Sequence, residues 1–153
     1  MLSILFICTG NTCRSPLAEY LLHSLLEQEK TAFKVKVSSA GLHVRDQQII
    51  AAEASRLLDE AKIRHDPRRA AIAVNHKTVS EADLILTMTD DQLRQICLRF
   101  PEVTGKTFLL KEYCDLGGGD VEDPIGGSLL KYRQVMEDIG LAVKNLLAKL
   151  MEG

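Results

Sequence analysis

Two residue types that together can transfer a phosphoryl group stand six positions apart near the start of the chain. They are Cys8 and Arg14 in the run Cys8-Thr9-Gly10-Asn11-Thr12-Cys13-Arg14-Ser15. A thiolate is a strong nucleophile, and a planar guanidinium can hold two oxygens of one phosphate, which a lysine cannot do. Gly10 and Asn11 are types that tolerate positive φ, so the loop between can curl its backbone N–H groups inward. Inward N–H groups beside a helix N-terminus make an anion site, and the same field favours the thiolate form of a cysteine placed in it. Ser15 can donate its hydroxyl to the Cys8 sulfur when that sulfur leaves.

A bare Cys-x5-Arg spacing is common by chance and weak alone; its setting makes it specific. Residues 2–7, Leu-Ser-Ile-Leu-Phe-Ile, are an apolar run without alternation, as in a strand buried on both faces. After the loop, Leu17, Ala18, Leu21, Leu22, Leu25 and Leu26 repeat at helical spacing from Ser15 to about Lys30, with Ser15 as N-cap and Pro16 in the first turn. The pattern predicts further strands at 33–37, running into Ser38-Ser39-Ala40-Gly41, at 83–88 and at 106–110. It predicts helices over 47–62, with Ile50, Ala54, Leu57, Leu58 and Ala61 inward, and near 90–99. A Gly-rich loop at 117–127 leads to a final helix carrying Leu129, Leu130, Val135, Met136, Ile139, Val143, Leu146, Leu147 and Leu150. Alternating β and α elements imply one α/β domain over residues 1–153, a parallel sheet with helices on both faces. Ligands of such sheets bind beyond the carboxyl ends of the strands, where the loop after the first strand lies.

Composition excludes several alternatives. A net charge of -2 gives nucleic acid little to bind, and no apolar stretch is long enough to span a membrane. The N-terminus lacks the basic segment of a secretory signal, so the cytoplasm is expected, with Cys8, Cys13, Cys97 and Cys114 as reduced thiols. The Cys and His residues lack paired zinc spacing; no metal and no cofactor is expected.

The run C-T-G-N-T-C-R-S-P resembles the active-site loop of the low-molecular-weight protein tyrosine phosphatases, C-x-G-N-x-C-R-S-P. Ser38-Ser39-Ala40-Gly41 resembles that family's Ser-Ala-Gly stretch, and Asp123-Pro124 its general-acid loop. The resemblance covers essentially the whole chain. It implies a four-stranded parallel sheet in the order 2-1-3-4, flanked by helices. It also implies a phosphocysteine mechanism with Cys8 as nucleophile, Arg14 as phosphate clamp and Asp123 as general acid. Thr9, Gly10, Asn11, Thr12, Cys13 and Ser15 would line the phosphate, and Ser39 would hydrogen-bond to Asn11. His65 is set against a histidine that buttresses the same network, or else is a surface residue.

Two departures concern the substrate. Thr12 stands where an aliphatic residue is usual, and Ile125-Gly126-Gly127-Ser128 follows Asp123-Pro124 where aromatic residues usually sandwich a phenyl ring. Both departures, with Lys111-Glu112-Tyr113, resemble the bacterial protein-arginine phosphatases. Asp120, Glu122 and Asp123 cluster as acidic partners for a guanidinium. The expected substrate is therefore phosphoarginine on proteins, with phosphotyrosine as the alternative and a monomer as the expected state. The thioredoxin-coupled arsenate reductases share the loop but need further cysteines near the third strand, and residues 83–96 hold none. A non-catalytic anion-binding or redox-sensing module is the remaining alternative. A reversible Cys8-Cys13 disulfide fits regulation of an enzyme better.

Overall fold

The computed structural model describes residues 1–29 and 34–152. Strand β1, Leu2–Cys8, runs through the middle of a fully parallel sheet ordered β2-β1-β3-β4, with β2 at Val35–Gly41, β3 at Leu84–Thr87 and β4 at Thr107–Leu109. Its side chains divide between the two faces as the pleat requires. Ile4, Phe6 and Cys8 enter one cluster with α1 (Arg14–Glu29), α2 (Ala52–Glu60) and α6 (Leu129–Glu152). Leu5 and Ile7 enter a second with α3 (His76–Glu81), α4 (Asp90–Arg99) and the 3-10 turn Pro101–Lys106. Burying each such side chain contributes about 1.5–3 kcal/mol. The single-domain α/β architecture and the strand order match the expectation. No helix among the described residues is long and apolar enough to cross a membrane.

Several boundaries differ for physical reasons. Extended pairing replaces the start of the helix expected at 47–62. Ile50 N donates to Arg69 O at 2.9 Å, Ala51 N donates to Thr12 O at 2.8 Å, and Ile49 bridges Ala70, so these amides are spent before the helix begins at Ala52. Ala61, expected inward, is exposed, and so is Leu130 at 64 %. Ser15 is not the N-cap of α1: the helix starts at Arg14, and Leu17 N already donates to Cys13 O at 2.9 Å. The ends expected at Lys30 and Phe33 lie outside the described residues. The strand expected at 33–37 is Val35–Gly41, continuing through the Ser38-Gly41 stretch. Two short helices, α3 and α5 (Leu110–Tyr113), were not anticipated.

Candidate active site

Cys8 ends β1 and Arg14 opens α1, so the intervening loop is pinned at both ends by the sheet and the helix. Asn11 carries the sharp bend at φ 56°, which costs a non-glycine residue about 1–2 kcal/mol. Gly10 does not share that conformation, contrary to the expectation that both residues would bend. Asn11 is fully buried, and its side chain offsets the cost. Oδ1 accepts from Ile72 N at 2.8 Å and Arg69 Nη1 at 3.1 Å, while Nδ2 donates to Ser15 Oγ at 2.8 Å and Ser39 Oγ at 3.0 Å. Asn11 and Ser39 therefore meet as expected.

The Cys8 sulfur lies within reach of two donors. Asn11 N donates to it at 3.2 Å, and the Ser15 hydroxyl stands 2.8 Å away. Arg14, only 6 % exposed, donates from Nη1 to Val121 O at 3.1 Å and places Nη2 3.7 Å from Asp123 Oδ2. Asp123 is half-exposed, and its Oδ1 accepts from Ile125 N at 3.0 Å within the Gly-rich loop. Cys13 is buried, and that burial, with Cys8 nearby, pushes its thiol well above the ordinary cysteine range.

Cys8, Thr9, Gly10, Thr12, Cys13, Arg14 and Asp123 line one cleft of about 340 Å³, joined by His43, Arg45, Gln48 and Ile125. Ser15, Asn11 and Ser39 sit behind it as supports. A thiol, a guanidinium and a carboxyl group converge there, a set chemically able to carry phosphoryl transfer through a covalent intermediate. Asp120 and Glu122 do not join Asp123. Asp120 Oδ1 accepts from Asp90 N at 2.8 Å, and Glu122 pairs with Lys131.

Two groups were not read from the sequence. Gln92 is buried, accepts from Met88 N and Thr89 N at 3.0 Å each, and donates to Thr9 Oγ1 at 3.1 Å, tying α4 to the loop. The capping box of Thr89 with Gln92 was the one local signal that could have shown it. The other group is Arg69. It takes the place offered to His65, donating to Asn11 Oδ1 and, from Nη2, to Ser39 Oγ at 2.8 Å and Glu19 Oε1 at 2.9 Å. His65 is neither a buttress of Asn11 nor a surface residue. Its buried side chain bonds Ser55 Oγ at 2.7 Å and packs edge-on against Tyr20.

Comparison with known proteins agrees with this geometry. A protein-arginine-phosphatase from Geobacillus stearothermophilus is 35% identical over 96% of this chain and 95% of its own. The low molecular weight protein-tyrosine-phosphatase PtpB of Staphylococcus haemolyticus is 36% identical over 89% of this chain and 91% of its own. The crystal structure of a YwlE mutant from Bacillus subtilis superposes with a TM-score of 0.92 at 34% identity, covering 99% of both chains. The profile of the low molecular weight phosphotyrosine protein phosphatases matches residues 3–153, and the chain belongs to that family of cysteine-dependent phosphoprotein phosphatases.

Proposed function

We propose that this phosphatase hydrolyses phosphoarginine on proteins in the cytoplasm. The observation that carries the reading is the wall of the cleft. Among its described lining residues there is no phenylalanine, tyrosine or tryptophan to sandwich a phenyl ring; Thr12 and the exposed Ile125 stand at that rim instead. Thr12 can hydrogen-bond polar substrate atoms, and Asp123 lines the same cleft beside the departing nitrogen's expected place. The relatives named as protein-arginine-phosphatases support the same choice.

The reaction follows from the residues. The Cys8 thiolate attacks phosphorus in line, forming the S–P bond as the P–N bond breaks. Arg14 and the loop amides hold the equatorial oxygens, so charge redistributed in the transition state meets fixed donors. Asp123 gives its proton to the departing guanidino nitrogen. It then takes a proton from the water that hydrolyses the phosphocysteine, while Ser15 donates to the sulfur as it leaves. Cys13, five residues from Cys8 in the same loop, would on losing its proton attack the sulfur of a Cys8 oxidised to sulfenic acid by peroxide, forming a disulfide and releasing water; all four cysteines are free thiols here.

Phosphotyrosine is the second reading, favoured by the relative named as a protein-tyrosine-phosphatase at 36% identity. Side-by-side kcat/KM values on a phosphoarginine and a phosphotyrosine peptide test the choice. The phosphoarginine peptide should be the better substrate, and a preference for phosphotyrosine would reverse the assignment.

A further inference from the structure

We infer that His43 is a specificity-determining residue of the cleft, held by Gln95 and Asp91 so that its Nδ1 accepts a hydrogen bond from the guanidino group of a phosphoarginine substrate. The inference deepens the phosphoarginine reading above and rests on it.

One face of α4 grips the cleft at three points. Gln92, Gln95 and Arg99 follow one another at helical spacing. Gln92 reaches Thr9 Oγ1, Arg99 Nη1 donates to Leu42 O at 3.0 Å, and Gln95 Oε1 lies 2.9 Å from His43 Nε2. The backbone of His43 is fixed as well, since its N donates to Thr9 O at 2.8 Å. An exposed histidine beside the phosphate loop is thus held at both main chain and ring.

The same hydrogen bonds give the ring a direction. Asp91 Oδ2 accepts from Gln95 Nε2 at 2.7 Å, a pair four residues apart on α4. The amide therefore turns Oε1 to His43. That oxygen can only accept, so Nε2 of the ring carries the hydrogen. In a neutral imidazole the other nitrogen then keeps its lone pair. The two ring nitrogens point apart, so Nδ1 is turned from α4, and no group among the described residues bonds it. The ring lines the cleft with Cys8, Arg14 and Asp123.

A phosphoarginine side chain brings several N–H groups next to the phosphorus, whereas a phosphotyrosine ring brings none. Arg14 and Arg45, which line the same cleft, can only donate, and Asp123 gives its proton to the departing nitrogen. The remaining N–H groups need acceptors, because a donor left unpaired on binding forfeits its hydrogen bond to water. His43 Nδ1 is an acceptor already oriented, so little ordering cost falls on binding.

The test is kcat/KM at about pH 8, where an ordinary imidazole is neutral, on a phosphoarginine peptide and on p-nitrophenyl phosphate. His43→Phe keeps a ring and removes both nitrogens; Gln95→Leu leaves His43 in place and removes its hold. In His43→Phe the phosphoarginine value should fall about tenfold more than the aryl phosphate value, chiefly through KM, because the bound substrate already makes the contact. Gln95→Leu should shift the same ratio about threefold in the same direction. Equal losses on both substrates, or none, would make His43 and Gln95 a surface contact only and overturn the inference. If His43→Phe does not fold, Gln95→Leu decides by the same ratio. A wild type inert on phosphoarginine would overturn both readings. A wild type that hydrolyses it yet prefers a phosphotyrosine peptide would reverse only the earlier one, and the shift from wild type to variant would still judge His43.

Discussion

Arg14 and Asp123 face each other across the mouth of the cleft, guanidinium nitrogen 3.7 Å from carboxylate oxygen, one nearly buried and the other half in water. The proposed phosphate clamp and the proposed acid thus share one edge of the site, so a substrate held by the first would have its leaving group beside the second. Asp123→Asn keeps the shape and removes the proton. It should slow turnover about 10²–10⁴-fold on a substrate with a basic leaving group and far less on an aryl phosphate with an acidic phenol. Equal losses on both, measured in the pre-steady state, would assign Asp123 a structural role.

The nucleophile is tested more directly. Cys8→Ser should lose at least about 10³-fold in kcat, because a serine in this loop is not ionised near neutral pH. Its fold should persist, since Cys8 contributes only a small buried side chain to its cluster. Arg14→Lys should not rescue the loss seen in Arg14→Ala, because a single ammonium cannot span two phosphate oxygens. Substantial turnover by Cys8→Ser, or by Arg14→Lys, would require a different mechanism.

Thr12 should set substrate choice. Thr12→Ile removes a hydroxyl from the cleft and adds an aliphatic wall. Phosphoarginine turnover should lose about 1–3 kcal/mol of transition-state binding if that hydroxyl serves the substrate, while phosphotyrosine turnover improves. The ratio of kcat/KM values for the two peptides should move further than either alone. An unchanged ratio would remove Thr12 from the specificity argument.

Cys13 should differ chemically from Cys8 despite lying in the same loop. Burial raises its thiol far above the ordinary range, so it stays protonated at neutral pH and gains reactivity only as pH climbs. Iodoacetamide at pH 7 should label Cys8 well before Cys13. After peroxide, peptide mapping should find a Cys8-Cys13 bridge that reductant reopens, and Cys13→Ser should make inactivation harder to reverse. Failure to detect the bridge would leave Cys13 as packing alone.

Gly41 is required by space rather than by turn geometry. A Cβ there would lie 2.7 Å from Thr9 O and 3.0 Å from Asn11 N, both backbone atoms of the phosphate loop. Gly41→Ala should therefore cost about 1–3 kcal/mol of stability and displace the loop, lowering kcat at the same time. Thermal unfolding and aryl phosphate turnover would show it; a variant matching wild type in both would contradict the contact.

The residues legible in the sequence are those whose neighbours in space are also neighbours in the chain. Cys8, Asn11, Arg14 and Ser15 are set by one strand-loop-helix unit, and the double-faced burial of β1 follows from its unbroken apolar run. Arg69 was illegible because its partners Glu19, Ser39 and Asn11 come from distant segments, and no local spacing marks it. His65 was misplaced for the same reason, four residues from the position that meets the loop. Ile50 is in helical phase with Ala54, Leu57 and Leu58, but the amides of Ile50 and Ala51 are claimed by Arg69 and Thr12, a tertiary demand that periodicity does not register.

Strand β2 is the end strand of the sheet, held among the described residues by β1 on one side and on the other only by a bridge from Gly41 to Ala73; it carries Ser39 and Gly41, and the chain just beyond it returns Leu42 N to Cys8 O and His43 N to Thr9 O. The border of the sheet is thus part of the wall of the site. Local opening of a single segment exchanges its amide hydrogens without global unfolding. An excursion that lifts Ser39–His43 from β1 would dismantle the anion cradle while the two hydrophobic clusters stay intact. Opening of that one segment would thus silence the site without unfolding the domain, and amide exchange at Leu42 and His43, whose protons go to Cys8 O and Thr9 O, would report it.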